Sequence, residues 1–270
     1  MKARIWGCRG SLATPGPSTL RYGGNTMCLE VRSADGAIVI FDAGTGIRDL
    51  GRTLSTETVH EIDLVLTHLH LDHIEGLGFF ALLFDPESRI RIHGPRPASG
   101  TLQEQIAAYL SPPYFPVPFE RIEARIEFEE LERENWEVKG LRISSAPVCH
   151  PGPTLAYRVA ENGASLAFVP DNEPGLDKNS GLEIAGDVDL LLHDSQYTDE
   201  EYATRVGWGH ASASDFTAYL KAAAPRRALM VHHDPTHADA KLERMLESAR
   251  AASGHPELGL GHEGLEIEIA

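Results

Sequence analysis

The segment 67–73 places four metal-binding side chains within six residues, directly after the apolar run 62–66. They are His68, His70, Asp72 and His73. A strand that ends in an H-x-H-x-D-H loop delivers these side chains to one point at the edge of a sheet. Imidazole and carboxylate together suit zinc, iron or manganese better than calcium or magnesium. We expect the first two side chains to bind one ion and the last two to bind a second.

Further candidate ligands stand where other apolar runs end. His150 follows the run 141–148, Asp171 follows 165–169, and His232 with His233 follows 226–231. Taken singly, such a histidine is more often an ordinary hydrogen-bonded residue, and such an aspartate is usually a cap or turn residue. The loop at 67–73 cannot complete two coordination spheres, so we interpret these residues together with it.

The resulting hypothesis is a site for two metal ions. The first ion is assigned to His68, His70 and His150, the second to Asp72, His73 and His232, and Asp171 bridges both. Two ions sharing a carboxylate would lie roughly 3.5–4 Å apart. His232 is favoured over His233 because it is the first residue past the apolar run, and adjacent strand residues point to opposite faces. His233 is kept as a candidate substrate-binding residue.

The order of strand and helix patterns predicts an α/β protein. Short apolar or alternating runs indicate strands, and Gly, Pro, Ser and Asp separate them. Strands are predicted at 3–8, 27–32, 37–41, 62–66, 89–93, 141–148, 154–159, 165–169, 188–193, 226–231 and 265–269, the last at a sheet edge. Helices are predicted at 44–54, 98–110, 199–206, 212–223 and 238–252. We expect two sheets packed face to face with helices outside, in one domain spanning 1–270.

Composition limits the function classes. The chain has 270 residues and 24 basic against 40 acidic side chains, a formal net charge of −16. Such a field repels long polyanions, whereas a small anion can still bind where metal ions invert the local potential. The 3 cysteines are odd in number and far apart, which does not suggest a disulfide framework. With no signal-type or membrane-spanning apolar stretch, we expect a cytoplasmic protein with no membrane partner.

The ligand motifs resemble those of the metallo-β-lactamase superfamily and occur in the same order along nearly the whole chain. The resemblance implies an αββα sandwich of two mixed β-sheets with helices on the outer faces. Within the superfamily the sequence looks most like the phosphodiesterase branch, which includes ribonuclease Z and cyclic-phosphate diesterases. The stretch from His68 to Gly76 also resembles the signature of class II cyclic-nucleotide phosphodiesterases.

Two further residues carry the resemblance to that branch. Gly207–Ser212 looks like the Gly-His-Ser/Thr element of ribonuclease Z-like enzymes, in which the histidine approaches the scissile phosphate. Here that histidine is His210. A carboxylate at an earlier strand end orients it in the relatives, and the matching residue is Asp194, where they often carry Glu. The resemblance therefore implies Asp72, His210 and Asp194 as catalytic residues, with His210 also contacting substrate.

The implied activity is hydrolysis of a small phosphodiester, a cyclic nucleotide or a cyclic sugar phosphate, by attack of a metal-bridging hydroxide. Two divalent ions are the implied cofactors, with zinc favoured over manganese or iron. The segment 112–118 is too short to match the arm with which ribonuclease Z grips transfer RNA, so we expect no long nucleic acid as partner. A lactone or thioester hydrolase on the same metals is the alternative, and a non-catalytic module is a third. Relatives in this branch are often homodimers, and 79–84 could form a dimer surface or core.

Overall fold

The computed structural model describes residues 1–270 and contains two mixed sheets of seven strands each. The strands are β1 (Lys2–Gly7), β2 (Cys28–Arg32), β3 (Ile38–Phe41), β4 (Glu61–Val65), β5 (Arg89–Pro95), β6 (Arg125–Leu131), β7 (Asn135–Val138), β8 (Leu141–Pro147), β9 (Leu155–Glu161), β10 (Ala164–Val169), β11 (Leu190–Asp194), β12 (Arg227–Val231), β13 (Leu258–Leu260) and β14 (Glu266–Glu268). The first sheet has the order β14-β1-β2-β3-β4-β5-β6, and the second has the order β13-β12-β11-β10-β9-β8-β7. As predicted, the last strand lies at a sheet edge.

The helices lie on the outer faces of the sheets. They are α1 (Ile47–Thr56), α2 (Leu71–Ile74), α3 (Leu102–Tyr109), α4 (Leu182–Ala185), α5 (Asp199–Tyr202), α6 (Ala213–Ala223) and α7 (Asp239–Ser253), with 3-10 turns at Leu77–Phe79, Ala81–Phe84 and Phe119–Arg121. Ser212 caps α6, and its side chain accepts a hydrogen bond from the Asp215 backbone N–H. None of these helices has both the length and the apolar character needed to cross a membrane.

Strand periodicity divides the apolar side chains among three layers. In β3, Val39 and Phe41 face the second sheet, whereas Ile38 and Ile40 face the helical layer that contains α1. The ring of Phe41 lies 5.5 Å from that of Tyr157 and 5.7 Å from that of Phe168, centroid to centroid. Because side chains alternate along a strand, one run of apolar residues fills both layers. The central layer therefore joins the two sheets directly.

The candidate ligands share one edge of this sandwich. Strands β3 and β4 run parallel, and so do β10, β11 and β12. Parallel neighbours end at the same edge of their sheet, which is where ligands bind in open α/β sheets. His68 and Asp171 follow the ends of β4 and β10, and His232 follows β12. The topology thus brings together segments that are up to 164 positions apart.

Three strands and the short helices α2 and α4 were not predicted, and one predicted helix is shorter than expected. The strands are β6, β7 and β13. In β6 the half-buried Ile126 and Phe128 alternate with exposed charged residues. This alternation is a strand pattern, so a usable signal was present and was missed. Strand β13 has only three residues, too few for a period to show. The helix predicted over 199–206 ends at Tyr202, where the chain turns towards the candidate site.

One buried hydrogen bond between the sheets gives a test of this packing. The Tyr157 hydroxyl donates to the Leu66 carbonyl oxygen at 2.7 Å, and the Tyr157 side chain is fully buried. We expect Tyr157→Phe to lower the free energy of unfolding by about 1–2 kcal/mol, because a buried acceptor loses its donor. Urea denaturation measures the change. Tyr114→Phe is the matched control, since Tyr114 is 77% exposed. An equal loss in both variants would contradict the assignment.

Candidate metal centre

The metal-type side chains of segment 67–73 lie close together because the short helix α2 begins only a few residues after the end of β4. His70 precedes this helix with extended backbone (φ −65°, ψ 151°), and Asp72 and His73 lie in the helix itself. The backbone N–H of Ser11 donates to Asp72 Oδ2 at 2.6 Å and fixes that carboxylate. His68 and His73 are buried, whereas His70 is exposed at the mouth of the site.

The first group of ligand atoms belongs to His68, His70, His150 and Asp171, which all lie within 4.8 Å of one another. His70 Nδ1 lies 3.0 Å from His150 Nε2. Asp171 Oδ2 lies 3.1 Å from His68 Nε2 and 3.7 Å from His150 Nε2. The structure therefore brings together the three histidines predicted for the first ion, and Asp171 with them.

The second group consists of Asp72, His73 and His232, again within 4.8 Å of one another. His232 Nε2 lies 3.2 Å from Asp72 Oδ2 and 3.3 Å from His73 Nε2. The two oxygens of Asp171 face different groups, because Oδ1 lies 2.9 Å from His232 Nε2 while Oδ2 faces His68. This is the arrangement that a carboxylate shared between two ions requires.

The donor set fits divalent cations. Two buried atoms of the centre, His68 Nε2 and Asp171 Oδ1, lie near other polar atoms but make no hydrogen bond of suitable geometry. Buried polar atoms are rarely left unpaired, because each one costs free energy. Neutral imidazole nitrogens that face each other, as in the pair His73 and His232, are ordinarily held together by a shared cation or proton. Nitrogen and oxygen donors in this mixture are suited to zinc, manganese or iron.

The charges of the centre also favour cations. Burial by itself lowers the pKa of His73 and His232 and raises the pKa of the carboxyl of Asp171. The mutual attraction of these groups outweighs burial in each case. The carboxylates of Asp171 and Asp72 raise the pKa of His232 to about 10 and that of His73 well above its usual value. His232 and His73 hold the pKa of Asp171 well below its usual range. The centre therefore attracts positive charge strongly.

Oxygen acceptors around the cluster orient the imidazoles. His73 Nδ1 lies 2.7 Å from Asp42 Oδ2, and His232 Nδ1 lies 2.7 Å from Gln196 Oε1. His150 Nδ1 lies 2.8 Å from the Gly209 carbonyl oxygen. These oxygens accept, so each Nδ1 carries a hydrogen and each Nε2 is directed to the centre. There its lone pair is available to a metal ion once that nitrogen has lost its proton.

The sequence analysis missed these supporting residues. Asp42 is the first residue after β3, and Asp171 is the second residue after β10. The position of Asp42 at a strand end was therefore a usable signal. Gln196 follows β11 with one residue between and therefore shares the strand-end position, but its residue type does not indicate a metal site. The Gly209 carbonyl oxygen carries no signal in residue type or spacing.

The predicted partner of His210 is in place. His210 Nδ1 lies 2.8 Å from Asp194 Oδ2, and both residues are buried. The backbone N–H of Gln196 donates to Asp194 Oδ1 at 2.9 Å and fixes the carboxylate. The His210 ring stacks on the His232 ring with 4.8 Å between centroids. His210 therefore lies beside the metal-binding groups, with Nδ1 engaged and Nε2 free for another partner.

His233 does not join this group. It is 1% exposed, and its Nε2 lies 3.0 Å from the Gly261 carbonyl oxygen, on the far side of the strand end from His232. Burial lowers the pKa of His233 to about 3, so the ring is neutral. The predicted substrate-binding role of His233 is therefore corrected: it is a packing residue. The opposite faces of adjacent residues, which favoured His232 as the ligand, also explain this orientation.

A family model described as "Beta-lactamase superfamily domain" matches residues 38–233. The chain therefore belongs to this superfamily, as its motifs predicted. It is similar to the ribonuclease Z of Metallosphaera sedula, with 24% identity over 255 residues that cover 80% of this chain and 84% of the relative. This relative agrees with the predicted phosphodiesterase branch.

Solved structures of the same fold are similar along their whole length. The metallo-β-lactamase fold protein YhfI from Bacillus subtilis superposes with a TM-score of 0.74 at 17% identity, covering 99% of each chain. A diphosphatase from the PhnP family superposes with a TM-score of 0.71 at 18% identity, covering 100% of this chain and 98% of the other. These similarities confirm the predicted fold of two mixed sheets with outer helices.

Gly10 offers a test of the second group of ligands. His232 has a positive φ of 58°, and a Cβ atom on Gly10 would lie 2.2 Å from its Nδ1. We expect Gly10→Ala to displace the imidazole and to weaken binding of one of two zinc ions about 10-fold or more. Metal analysis after dialysis against a graded chelator series measures this. Gly16→Ala is the control, because a Cβ there meets nothing within 4 Å. Two tightly held ions in Gly10→Ala would exclude His232 as a ligand.

Proposed function

We propose that this chain is a metal-dependent phosphodiesterase that hydrolyses a small phosphodiester, such as a cyclic nucleotide or a cyclic sugar phosphate. One observation carries the proposal: the His210–Asp194 pair lies directly beside two groups of metal-type ligands that share Asp171. A phosphodiester carries a negatively charged oxygen that the charged imidazole of a histidine held by its own carboxylate can bind. The carbonyl group of a lactone or a thioester is neutral before attack and gives such a histidine no charge to bind.

Two divalent ions are the proposed cofactors, with zinc favoured and manganese or iron as alternatives. The first ion is assigned to His68, His70 and His150, the second to Asp72, His73 and His232, and Asp171 is assigned to both. Ions held there lower the pKa of bound water to about 7 and offset the negative charge of phosphate oxygens.

The chain's own residues supply the rest of the chemistry. Asp72 is held by the Ser11 N–H and is placed to accept a hydrogen bond from the attacking water. His210 donates its Nδ1 hydrogen to Asp194, so its Nε2 faces the substrate. When protonated, that nitrogen donates a hydrogen bond to a phosphate oxygen and transfers its proton to the leaving oxygen. The buried carboxylate of Asp194 stabilises the charged imidazole.

A small substrate is favoured by the surroundings of the site. Three exposed apolar side chains lie near residues of the site in sequence and can contact the organic part of a small ester. Leu12 (60% exposed) follows Ser11, Leu71 (63%) lies between His70 and Asp72, and Trp208 (59%) precedes His210 by two residues. The net charge of −16 opposes a long polyanion. Because the chain is similar to proteins named ribonuclease Z, long nucleic acids are not excluded as substrates. The substrate panel below therefore includes an RNA.

A substrate panel tests the proposal. Purified protein loaded with zinc is assayed with bis(p-nitrophenyl) phosphate, with 2′,3′- and 3′,5′-cyclic nucleotides, with a precursor transfer RNA, and with lactones and a thioester. We expect turnover of phosphodiesters, with kcat/KM higher for at least one small ester than for the RNA, and loss of activity on chelation. Faster cleavage of the RNA would overturn the small-substrate part. Turnover of lactones or the thioester alone would overturn the phosphodiesterase itself.

His210 separates binding from catalysis. We expect His210→Ala to retain its metal content but to lower kcat at least 10-fold, because general acid catalysis contributes about 10²–10⁴-fold. Metal analysis and steady-state kinetics on the same preparation measure both quantities. His262→Ala is a suitable control, since His262 bonds only to the neighbouring Glu263 carbonyl. Unchanged turnover in His210→Ala would remove that residue from the mechanism.

A further inference from the structure

Glu173 is a buried carboxylate whose hydrogen-bond donors come from one short segment. It is 1% exposed and lies two residues after Asp171. Its Oε1 accepts from the Tyr202 hydroxyl at 2.8 Å and from the Gly207 N–H at 2.7 Å. Its Oε2 accepts from the Gly209 N–H at 2.7 Å. All three donors are neutral, so the carboxylate depends on them for its stability in the interior.

The segment that these bonds hold reaches the candidate site at two places. The Gly209 carbonyl oxygen accepts from His150 Nδ1 at 2.8 Å, and His210 is the next residue. Gly209 has a φ of +92°, and a Cβ there would lie 2.2 Å from His150 Nδ1. The backbone at Gly209 is thus pressed against the imidazole, and a small shift would move both histidines.

We propose that Glu173 is a positioning residue that acts through Gly209 on His150 and His210. The carboxylate fixes the amide of Gly209 from one side, and the carbonyl of the same residue fixes the imidazole of His150 on the other. His150 then presents Nε2 to the first ion, and His210 is held over the substrate. This inference rests on the metal site and activity proposed above.

Glu173→Gln is the decisive variant because it changes the donor pattern and leaves the volume almost unchanged. A glutamine has one acceptor oxygen, so its NH₂ group opposes a backbone N–H, at Gly209 or at Gly207. We expect zinc affinity to fall about 10- to 100-fold, as when other groups that orient a ligand are removed. We expect kcat to fall by a similar factor while KM changes less than 3-fold.

Two controls separate positioning from general destabilisation. Glu161→Gln alters another buried glutamate, 5% exposed, which accepts from the Ala34 N–H through both oxygens and pairs with the amino terminus. It should lower the melting temperature without changing zinc affinity or kcat. Tyr202→Phe removes one donor to Glu173 but leaves both backbone bonds, so zinc affinity and kcat should fall less than in Glu173→Gln.

Zinc affinity, measured by competition with a chromophoric chelator, decides the inference independently of activity. A Glu173→Gln protein that matches Glu161→Gln in zinc affinity and kcat overturns it. If Glu173→Gln does not fold, Glu173→Asp is measured instead, since the shorter side chain keeps its charge but cannot reach both amides. Parental zinc affinity and kcat in that variant also overturn it. If the parent protein binds zinc tightly but does not hydrolyse phosphodiesters, only the proposed function is wrong, and zinc affinity still tests the role of Glu173.

Discussion

A buried carboxylate surrounded by imidazoles is the interaction on which the site depends. One oxygen of Asp171 lies 3.1 Å from the Nε2 atoms of His68 and His73, and the other lies 2.9 Å from that of His232. The carboxylate is 1% exposed, so water cannot compensate its charge. Taking such a group out of water costs several kcal/mol unless positive charge and hydrogen bonds offset it. Cation binding and the packing of the loops are therefore linked, and removal of metal should loosen the same edge that performs the chemistry.

Two groups of residues hold the imidazoles and carboxylates of the site in place. The parallel strands end at one edge and deliver the inner ligands, whereas oxygen acceptors behind the ligands set which imidazole nitrogen faces inward. Asp42, Gln196 and the Gly209 carbonyl each bind one Nδ1, and Glu173 holds Gly209 in turn. Rigid positioning needs both groups of residues, because a 180° flip of the imidazole about its Cβ–Cγ bond would place Cε1–H where Nε2 must face the metal ion.

The sequence was sufficient to predict the inner ligands because three kinds of signal coincided. Residue type, close spacing and position after an apolar run all mark His68, whereas Asp171 has only the residue type and the position. Among the outer acceptors, Asp42 and Gln196 also follow strand ends, but neither lies close in sequence to other ligand-type residues. The donors to Glu173 lie 29 to 36 positions away in sequence, so no local pattern shows that they meet it. His233 shows the opposite error, since it carries the right type and position but faces the core.

Fully buried strands were the simplest to predict. β3 and β10 are buried throughout and read as continuous apolar runs. β1 has one exposed or half-buried face and was still predicted from its short alternating run. β6, which pairs with β5 at a sheet edge, shows the same alternation, so its omission reflects a missed pattern and not an absent one.

The net charge of −16 affects the binding of a long anion more than the binding of a small one. Salt screens charges beyond about 10 Å at 0.1 M ionic strength, so a distant acidic surface has little effect on a small anion inside the site. Within that distance the bound cations dominate the potential. A long polyanion extends past the screened region, so the acidic excess of the chain opposes it more than it opposes a small anion. The net charge does not by itself exclude RNA, since basic side chains near the site can offset it locally. Arg205 is a half-buried cation near the site, and it already lies over the rings of Tyr197 and Trp208.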